Sequence, residues 1–254
     1  MTHIYTLVNQ KGGVGKTTTT INLGAYLAQL GRKVLLVDLD PQANTTSCLG
    51  IDKQKVKISV YDILMEDVKP TDTILVSPKL NLSLVPASPE LAGAEVELVN
   101  ELAREQRLKT RLATLTHNFD YILIDCPPSL SLLTVNALVA AEAVIIPVQC
   151  EYLALEGLGQ LVQTINRVRS ALNPSLTVRG VVMTMFDART SLSAQVISEV
   201  RKHFPGKVFK SVIPRSVRLA EAPSHGVPIS VFAATSTGAL AYRALAEELI
   251  KGDS

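Results

Sequence analysis

A chain of 254 residues that is 47% hydrophobic and 4% aromatic can bury one large core, and it suits a single α/β domain over 1–254 better than two small ones. The net charge of +2 marks no strongly polyanionic or polycationic protein, and no apolar run reaches the ~18 residues of a membrane span. Cys48, Cys126 and Cys150 lack metal-ligand spacing and read as small buried hydrophobes in a reducing compartment, which sets aside a disulfide framework.

The chain opens on HIYTLV at 3–8, an apolar run that reads as a buried strand, with a glycine loop and helical spacing over 16–31 behind it. The opening MTHIYTLVNQ has neither a basic leader nor a cleavage site and is expected in the mature protein. A second strand, KVLLVD at 33–38, precedes a stretch that regains helical spacing over about 90–116. Then follow YILID at 121–125 with a helix over 130–141, AVIIPV at 143–148 with a helix over 153–172, and VRGVVMTM at 178–185 with a helix over 191–204. VFKSVI at 208–213 and a helix over 236–251 close the series. Apolar continuity within the strands predicts a parallel sheet covered on both faces, and the alternation predicts right-handed βαβ units. The expected fold is doubly wound and mostly parallel, with ligands at the C-terminal strand edge. No internal repeat, low-complexity tract or linker interrupts it.

The loop itself is NQKGGVGKTTTT, residues 9–20, and it departs from the phosphate-loop pattern G-x-x-x-x-G-K-[ST] because Gln10 stands where the first glycine belongs. Gly12, Gly13 and Gly15 around Val14 permit backbone angles that aim successive N–H groups inward at a helix N-terminus, which makes an anion nest. Lys16 would reach the β- and γ-phosphates of a nucleotide, and Thr17 would offer its hydroxyl to Mg2+. Lys11 is a second lysine, one more than a single triphosphate needs.

Asp38 and Asp40 in LLVDLDPQ and Asp125 in YILIDCPPS end hydrophobic strands, so three carboxylates are expected at the sheet edge that carries the loop. Buried there without a cation they would be costly. Asp125 resembles a Walker B aspartate and is expected to orient Mg2+ together with Thr17 and Asp38. Pro41 suggests a turn, which gives Asp40 a capping role as the alternative to positioning an attacking water.

KGGVGKTT, LLVDLDPQAN, DCPPS, PVQCEYLALEG, TMFDART and IPRSVRLAEAPSHG together resemble the deviant-Walker ATPases of the ParA/MinD group, most of all Soj-type chromosome-partitioning ParA proteins, over almost the whole chain. The resemblance implies a SIMIBI-type P-loop NTPase that uses ATP and Mg2+ and forms a nucleotide-sandwich homodimer. In that family the first lysine of KGGVGK crosses to the phosphates of the other subunit, which gives Lys11 its purpose; Lys16 serves its own ATP. The same resemblance places Gly12 at the partner subunit, Asp40 on the hydrolytic water, Thr18 at the α-phosphate, Glu151 at the partner's ribose and Pro214 against adenine. MinD-like relatives carry an asparagine after the sixth strand, whereas this chain has VVMTMFDA, so base recognition is expected to use backbone groups and Met185.

Charge is unevenly spread: residues 1–166 hold 13 Lys+Arg against 17 Asp+Glu, and 167–254 hold 12 against 6. Arg189 and Arg218 match arginines that Soj-type relatives use on DNA without sequence preference, and Lys210 and Arg215 are expected to extend the patch. Local capping or pairing is the alternative for Arg189. The implied cycle is DNA segregation in the cytoplasm on the nucleoid, with release when a ParB-type centromere-binding protein triggers hydrolysis. A MinD-like membrane cycle needs a basic, bulky amphipathic C-terminal helix, and TGALAYRALAEELIKGDS is Ala-rich with Glu247 and Glu248 instead. An iron–sulfur carrier needs paired cysteines, and Cys126 has no mate near the site. The helix-turn-helix segment of larger plasmid relatives is expected to be absent, because the first strand starts near residue 3.

Overall fold

The computed structural model describes residues 2–66 and 68–253. Its strands are β1 (His3–Leu7), β2 (Val34–Asp38), β3 (Leu75–Ser77), β4 (Leu82–Val85), β5 (Tyr121–Asp125), β6 (Ala143–Gln149), β7 (Thr177–Phe186) and β8 (Val208–Pro214). They form one sheet in the order β3-β4-β2-β5-β1-β6-β7-β8, parallel throughout except where β3 runs against β4. The Val- and Ile-rich runs occupy the middle of it because both faces are covered. Every residue of β2 and β5 is buried.

The helices are α1 (Lys16–Gln29), α2 (Asn44–Cys48), α3 (Val60–Met65), α4 (Leu91–Glu97), α5 (Arg107–Leu112), α6 (Leu132–Ala140), α7 (Glu156–Ala171), α8 (Ser191–His203), α9 (Val217–Glu221), α10 (Ile229–Phe232) and α11 (Thr237–Asp253). Successive strand residues point to opposite faces, which divides the core in two. Leu35, Val37, Ile122 and Ile124 pack with α3 to α8, while Leu36, Leu123 and Ile145 pack with α1 and α9 to α11. Leu7, Asp38 and Asp125 share one register level, so the ends of β1, β2 and β5 meet at a single edge.

Two expectations are corrected. Continuous apolar character did not reveal β3 and β4, because LNLSLV alternates and Pro78, Asn81 and Pro86 interrupt it; β4 buries Leu82 and Leu84 and leaves Ser83 half-buried. The helix over about 90–116 is broken. A 3-10 turn at Leu98–Asn100 follows α4, Ala103 takes the left-handed φ of 50°, and α5 begins only at Arg107.

Helix α11 runs from the loop-bearing edge to the opposite one. Near the loop, Tyr242 is buried and its hydroxyl lies 3.1 Å from Thr19 Oγ1 on α1. At the far end, Asp253 accepts from the Tyr5 hydroxyl at 2.8 Å, the Tyr121 hydroxyl at 3.1 Å and Arg179 Nε at 2.8 Å. Replacing Asp253 with Ala takes the Arg179 guanidinium's carboxylate away, leaving it the Leu249 carbonyl at 3.1 Å, and leaves two part-buried tyrosine hydroxyls without this acceptor, and is expected to cost about 1–3 kcal/mol. Urea unfolding of Asp253→Ala checks this, and an unchanged midpoint would show that α11 is held by its apolar face alone.

Candidate functional site

The glycine loop leaves β1 and enters α1 at Lys16. Gly13 and Gly15 sit at φ 75° and 90°, left-handed backbone in which a Cβ would be strained. The first turn of α1 holds no acidic residue, so the positive end of its dipole faces the loop uncompensated. That combination suits an anion. Two tethers shape the loop: the Asn9 side chain accepts from the Lys11 N–H at 3.0 Å and donates to the Pro147 carbonyl at 2.7 Å, and Thr184 Oγ1 donates to the carbonyl of buried Val14 at 2.8 Å.

The two lysines are placed differently. Lys16 is 7% exposed, and its ammonium donates to the Lys11 carbonyl at 3.2 Å inside the loop. Burial lowers its pKa, against the opposing pull of Asp125 and Asp40. Lys11 turns outward, and its ammonium forms an ion pair with Glu151, both side chains being partly exposed. The pair stands at the rim of an open cavity of about 360 Å³ that Val14 also lines. Gly12 is exposed, with nothing within 4 Å of where a Cβ would stand.

Beneath the loop lie the carboxylates. Asp125 is fully buried and accepts from Thr17 Oγ1 and Thr45 Oγ1 on Oδ2, each at 2.7 Å, and from Thr20 Oγ1 on Oδ1 at 3.3 Å. Asp38, its register partner, is equally buried. Its Oδ2 accepts from both the N–H of Thr46 at 2.8 Å and the hydroxyl of Thr46 at 2.7 Å, and its Oδ1 accepts from the Asp40 N–H at 3.3 Å. Burial raises the pKa of both acids; Asp125 adds to the rise at Asp38, and threonine hydroxyls oppose it at each. Asp38 thus has its oxygens turned onto its own loop, whereas Asp125 shares a hydroxyl with the phosphate-loop helix. Asp40 is 5% exposed and accepts from the Gln42 N–H at 2.9 Å, so the turn expected from Pro41 exists.

On the other side of the loop is a second cleft of about 210 Å³, lined by Gly15, Thr18, Met185, Pro214, Arg215 and Tyr242. Four residues singled out from sequence for nucleotide contacts, Gly15, Thr18, Met185 and Pro214, therefore face one space. Met185 adopts a left-handed φ of 53°, an outlier for a long side chain and a form of strain that concentrates at ligand sites.

The basic residues are less well gathered. Arg189, with 85% of its side chain exposed, binds Asp187 through Nε at 2.9 Å and Nη2 at 2.7 Å. Arg218 pairs with Glu221 at 3.0 Å. Arg215 lies just past β8 in the second cleft, but Lys210 is near the start of that strand, in a cavity with Arg179, Lys207 and Lys251 at the opposite edge. Sequence reasoning missed Asn9, Thr20, Thr45, Thr46 and Thr184. The run TTTT at 17–20 holds a signal for Thr20, which lies one turn after Thr17 and so on the same face; nothing in the sequence singled out Thr184.

The profile of a family described as an AAA domain matches residues 2–178. The sporulation initiation inhibitor protein Soj of Bacillus subtilis strain 168 is 57% identical over 249 residues, which cover 98% of each chain. The chromosome-partitioning ATPase Soj of Treponema pallidum is 52% identical over 97% of this chain and 96% of its own length. A crystal structure of cobyrinic acid a,c-diamide synthase from Mycobacterium smegmatis, with bound ADP and magnesium, superimposes with a TM-score of 0.88 at 42% identity, covering 99% of this chain and 95% of that one. With a phosphate-type glycine loop at the C-terminal edge of a parallel sheet, and relatives this similar over their full length, the chain belongs to the AAA-domain P-loop family and, within it, to the Soj/ParA chromosome-partitioning proteins.

Proposed function

We propose that the chain is a single-domain, Mg2+-dependent ATPase of DNA segregation that dimerises around ATP, binds duplex DNA without sequence preference as the dimer, and leaves the DNA when a ParB-type partner stimulates hydrolysis. The observation that carries this reading is the placement of the two lysines: Lys16 is held inside its own loop, while Lys11 stands outside it beside exposed Gly12. A cation on the outer side of the loop, held only by an exposed ion pair, is available to phosphates that a second subunit would bring to it. The chromosome-partitioning ATPase name of the Treponema relative and the ADP and magnesium of the Mycobacterium structure support the choice of activity and cofactor. The cycle would run in the cytoplasm on nucleoid DNA. Among the described residues no helix is long and apolar enough to cross a membrane.

In this reading the glycine loop of Gly12 to Gly15 cradles the phosphates, Lys16 neutralises the β- and γ-oxygens, and Thr18 reaches the α-phosphate. Thr17 and Asp125 would hold Mg2+, whose charge offsets that of the phosphates; their shared hydrogen bond fits that use. Asp40 orients the attacking water. The base enters the cleft of Met185 and Pro214, and Glu151, released from Lys11, reaches the partner's ribose. Arg189 and Arg218 contact DNA phosphates. Their carboxylate partners do not forbid this, since exposed ion pairs of this kind are weak and a phosphate can displace them.

Gly12→Val is expected to bind ATP but stay monomeric, because the side chain fits the open space of one subunit and obstructs a second. Sedimentation with ATP measures this, and a normal dimer defeats the sandwich. Asp40→Ala should bind ATP and accumulate the dimer, with hydrolysis lowered by about 10²-fold or more, whereas Lys16→Ala should lose nucleotide binding. Partner-stimulated hydrolysis at the normal rate in Asp40→Ala removes Asp40 from the water.

DNA affinity should require ATP and fall with salt at a log–log slope of roughly −0.9 per phosphate neutralised. Arg189→Ala and Arg218→Ala should each weaken binding equally on two unrelated duplexes and leave ATP-driven dimerisation intact. Filter binding over a salt series decides it; undiminished affinity in both variants, or preference for one duplex, overturns the DNA assignment.

A further inference from the structure

The turn that carries Asp40 leaves β2 at Asp38 and is fastened at the start of α2 by two threonine hydroxyls. Thr46 is fully buried, and its Oγ1 does two things at once: it donates to Asp38 Oδ2 at 2.7 Å and accepts from the Ala87 N–H, just past β4, at 3.0 Å. Its N–H adds a third bond, to the same Asp38 oxygen at 2.8 Å. One residue earlier, Thr45 Oγ1 donates to Asp125 Oδ2, the oxygen that also receives Thr17. Just ahead of these attachments Ala43 stands at φ 52°, left-handed backbone in which a non-glycine residue is disfavoured.

We infer that Thr46, clamped between Asp38 and the Ala87 amide, is a positioning residue for hydrolysis: the clamp sets where the turn presents Asp40, and Asp38 acts as its anchor rather than as a metal ligand. All three protein donors to Asp38 come from its own turn and α2, one of them the Asp40 N–H itself at 3.3 Å, whereas Asp125 takes Thr17 and Thr20 from the phosphate-loop helix. The strand end, the turn and the start of α2 are therefore one hydrogen-bonded unit. A hydroxyl that is simultaneously donor and acceptor fixes direction as well as distance, and a carboxylate that must align a water needs both. Valine, which matches threonine in shape, removes the donor to Asp38 and leaves the Ala87 N–H without a partner. Serine keeps both bonds.

The inference rests on the reading that Asp40 orients the attacking water, and the test separates the two. Steady-state ATP hydrolysis and ADP affinity are measured for Thr46→Val, Thr46→Ser, Asp38→Asn and Asp40→Ala, with thermal melting of each. Thr46→Val is expected to lose kcat by about ten- to a hundredfold while KM for ATP and ADP affinity stay within about twofold, and Thr46→Ser to recover kcat. Asp38→Asn should also lower kcat, with no change in the Mg2+ concentration that half-saturates hydrolysis. Amide exchange of residues 40 and 42–45 in the nucleotide-free protein should speed up in Thr46→Val and be restored in Thr46→Ser. An inactive Asp40→Ala beside a fully active Thr46→Val defeats the clamp alone; a fully active Asp40→Ala defeats the water reading beneath it. If Thr46→Val melts too low to assay, Asp38→Asn decides: a kcat unchanged from the parent, or a raised Mg2+ requirement, overturns the inference.

Discussion

Two carboxylates buried side by side are the constraint around which this protein is organised. Asp38 and Asp125 are register partners at the ends of adjacent strands, without measurable exposure, in a sheet whose neighbouring residues are Val, Leu and Ile. Such a pair is unfavourable unless every lone pair finds a donor or a cation. The chain answers with hydroxyls: Thr17 and Thr20 from α1, and Thr45 and Thr46 from α2, all converge there. Because those threonines belong to the two loops that leave β1 and β2, satisfying the acids also sets both loops. The edge of an apolar sheet thereby becomes a polar pit, and the raised pKa of both acids marks an unspent demand for positive charge.

Lys16 supplies part of that demand and Lys11 does not. They are five residues apart, yet one is 7% exposed and the other has 39% of its side chain in solvent. The difference follows from the glycines between them, which turn the backbone so that the Lys11 carbonyl faces inward, onto the Lys16 ammonium, while the Lys11 side chain faces out. Glu151 holds that outward lysine, at modest strength because both groups are wet. A weak exposed pair is suited to being exchanged, which a strong buried one would resist.

Legibility from sequence followed the strength of the physical signal. Strands buried on both faces appear as continuous apolar runs, and these, with edge strand β8, where VFKSVI keeps Lys210 exposed, were readable within a residue or two. Strands β3 and β4 were not, since β3 is three residues long with Leu75 and Val76 exposed and β4 is bounded by Asn81 and Pro86. The break near Ala103 depends on a single left-handed residue, which alanine does not advertise. At the site, glycines and strand-end aspartates announce themselves through motif and position. Thr45 and Thr46 do not, because a threonine acquires its role only from the carboxylate that the fold brings beneath it. The carboxylate partners of Arg189 and Arg218 were open as a local alternative for Arg189 alone, and Lys210 and Arg215 looked adjacent in sequence although β8 carries them to opposite edges.

That separation bears on how nucleotide and DNA would communicate in the proposed cycle. Pro214 and Arg215 line the cleft expected to take the base, and α9 begins two residues later with Val217 and Arg218. Leu219 from the same helix lines that cleft and belongs to the core that includes Tyr242, whose hydroxyl touches Thr19 on the phosphate-loop helix. A short segment thus has one side in the nucleotide cleft and an exposed arginine on the other, with no hinge needed between them. Helix α11 packs behind this segment, Gly238 lying against Leu219, and is tied at its far end by Asp253. A base held in this cleft would therefore touch the same short segment that carries Arg218.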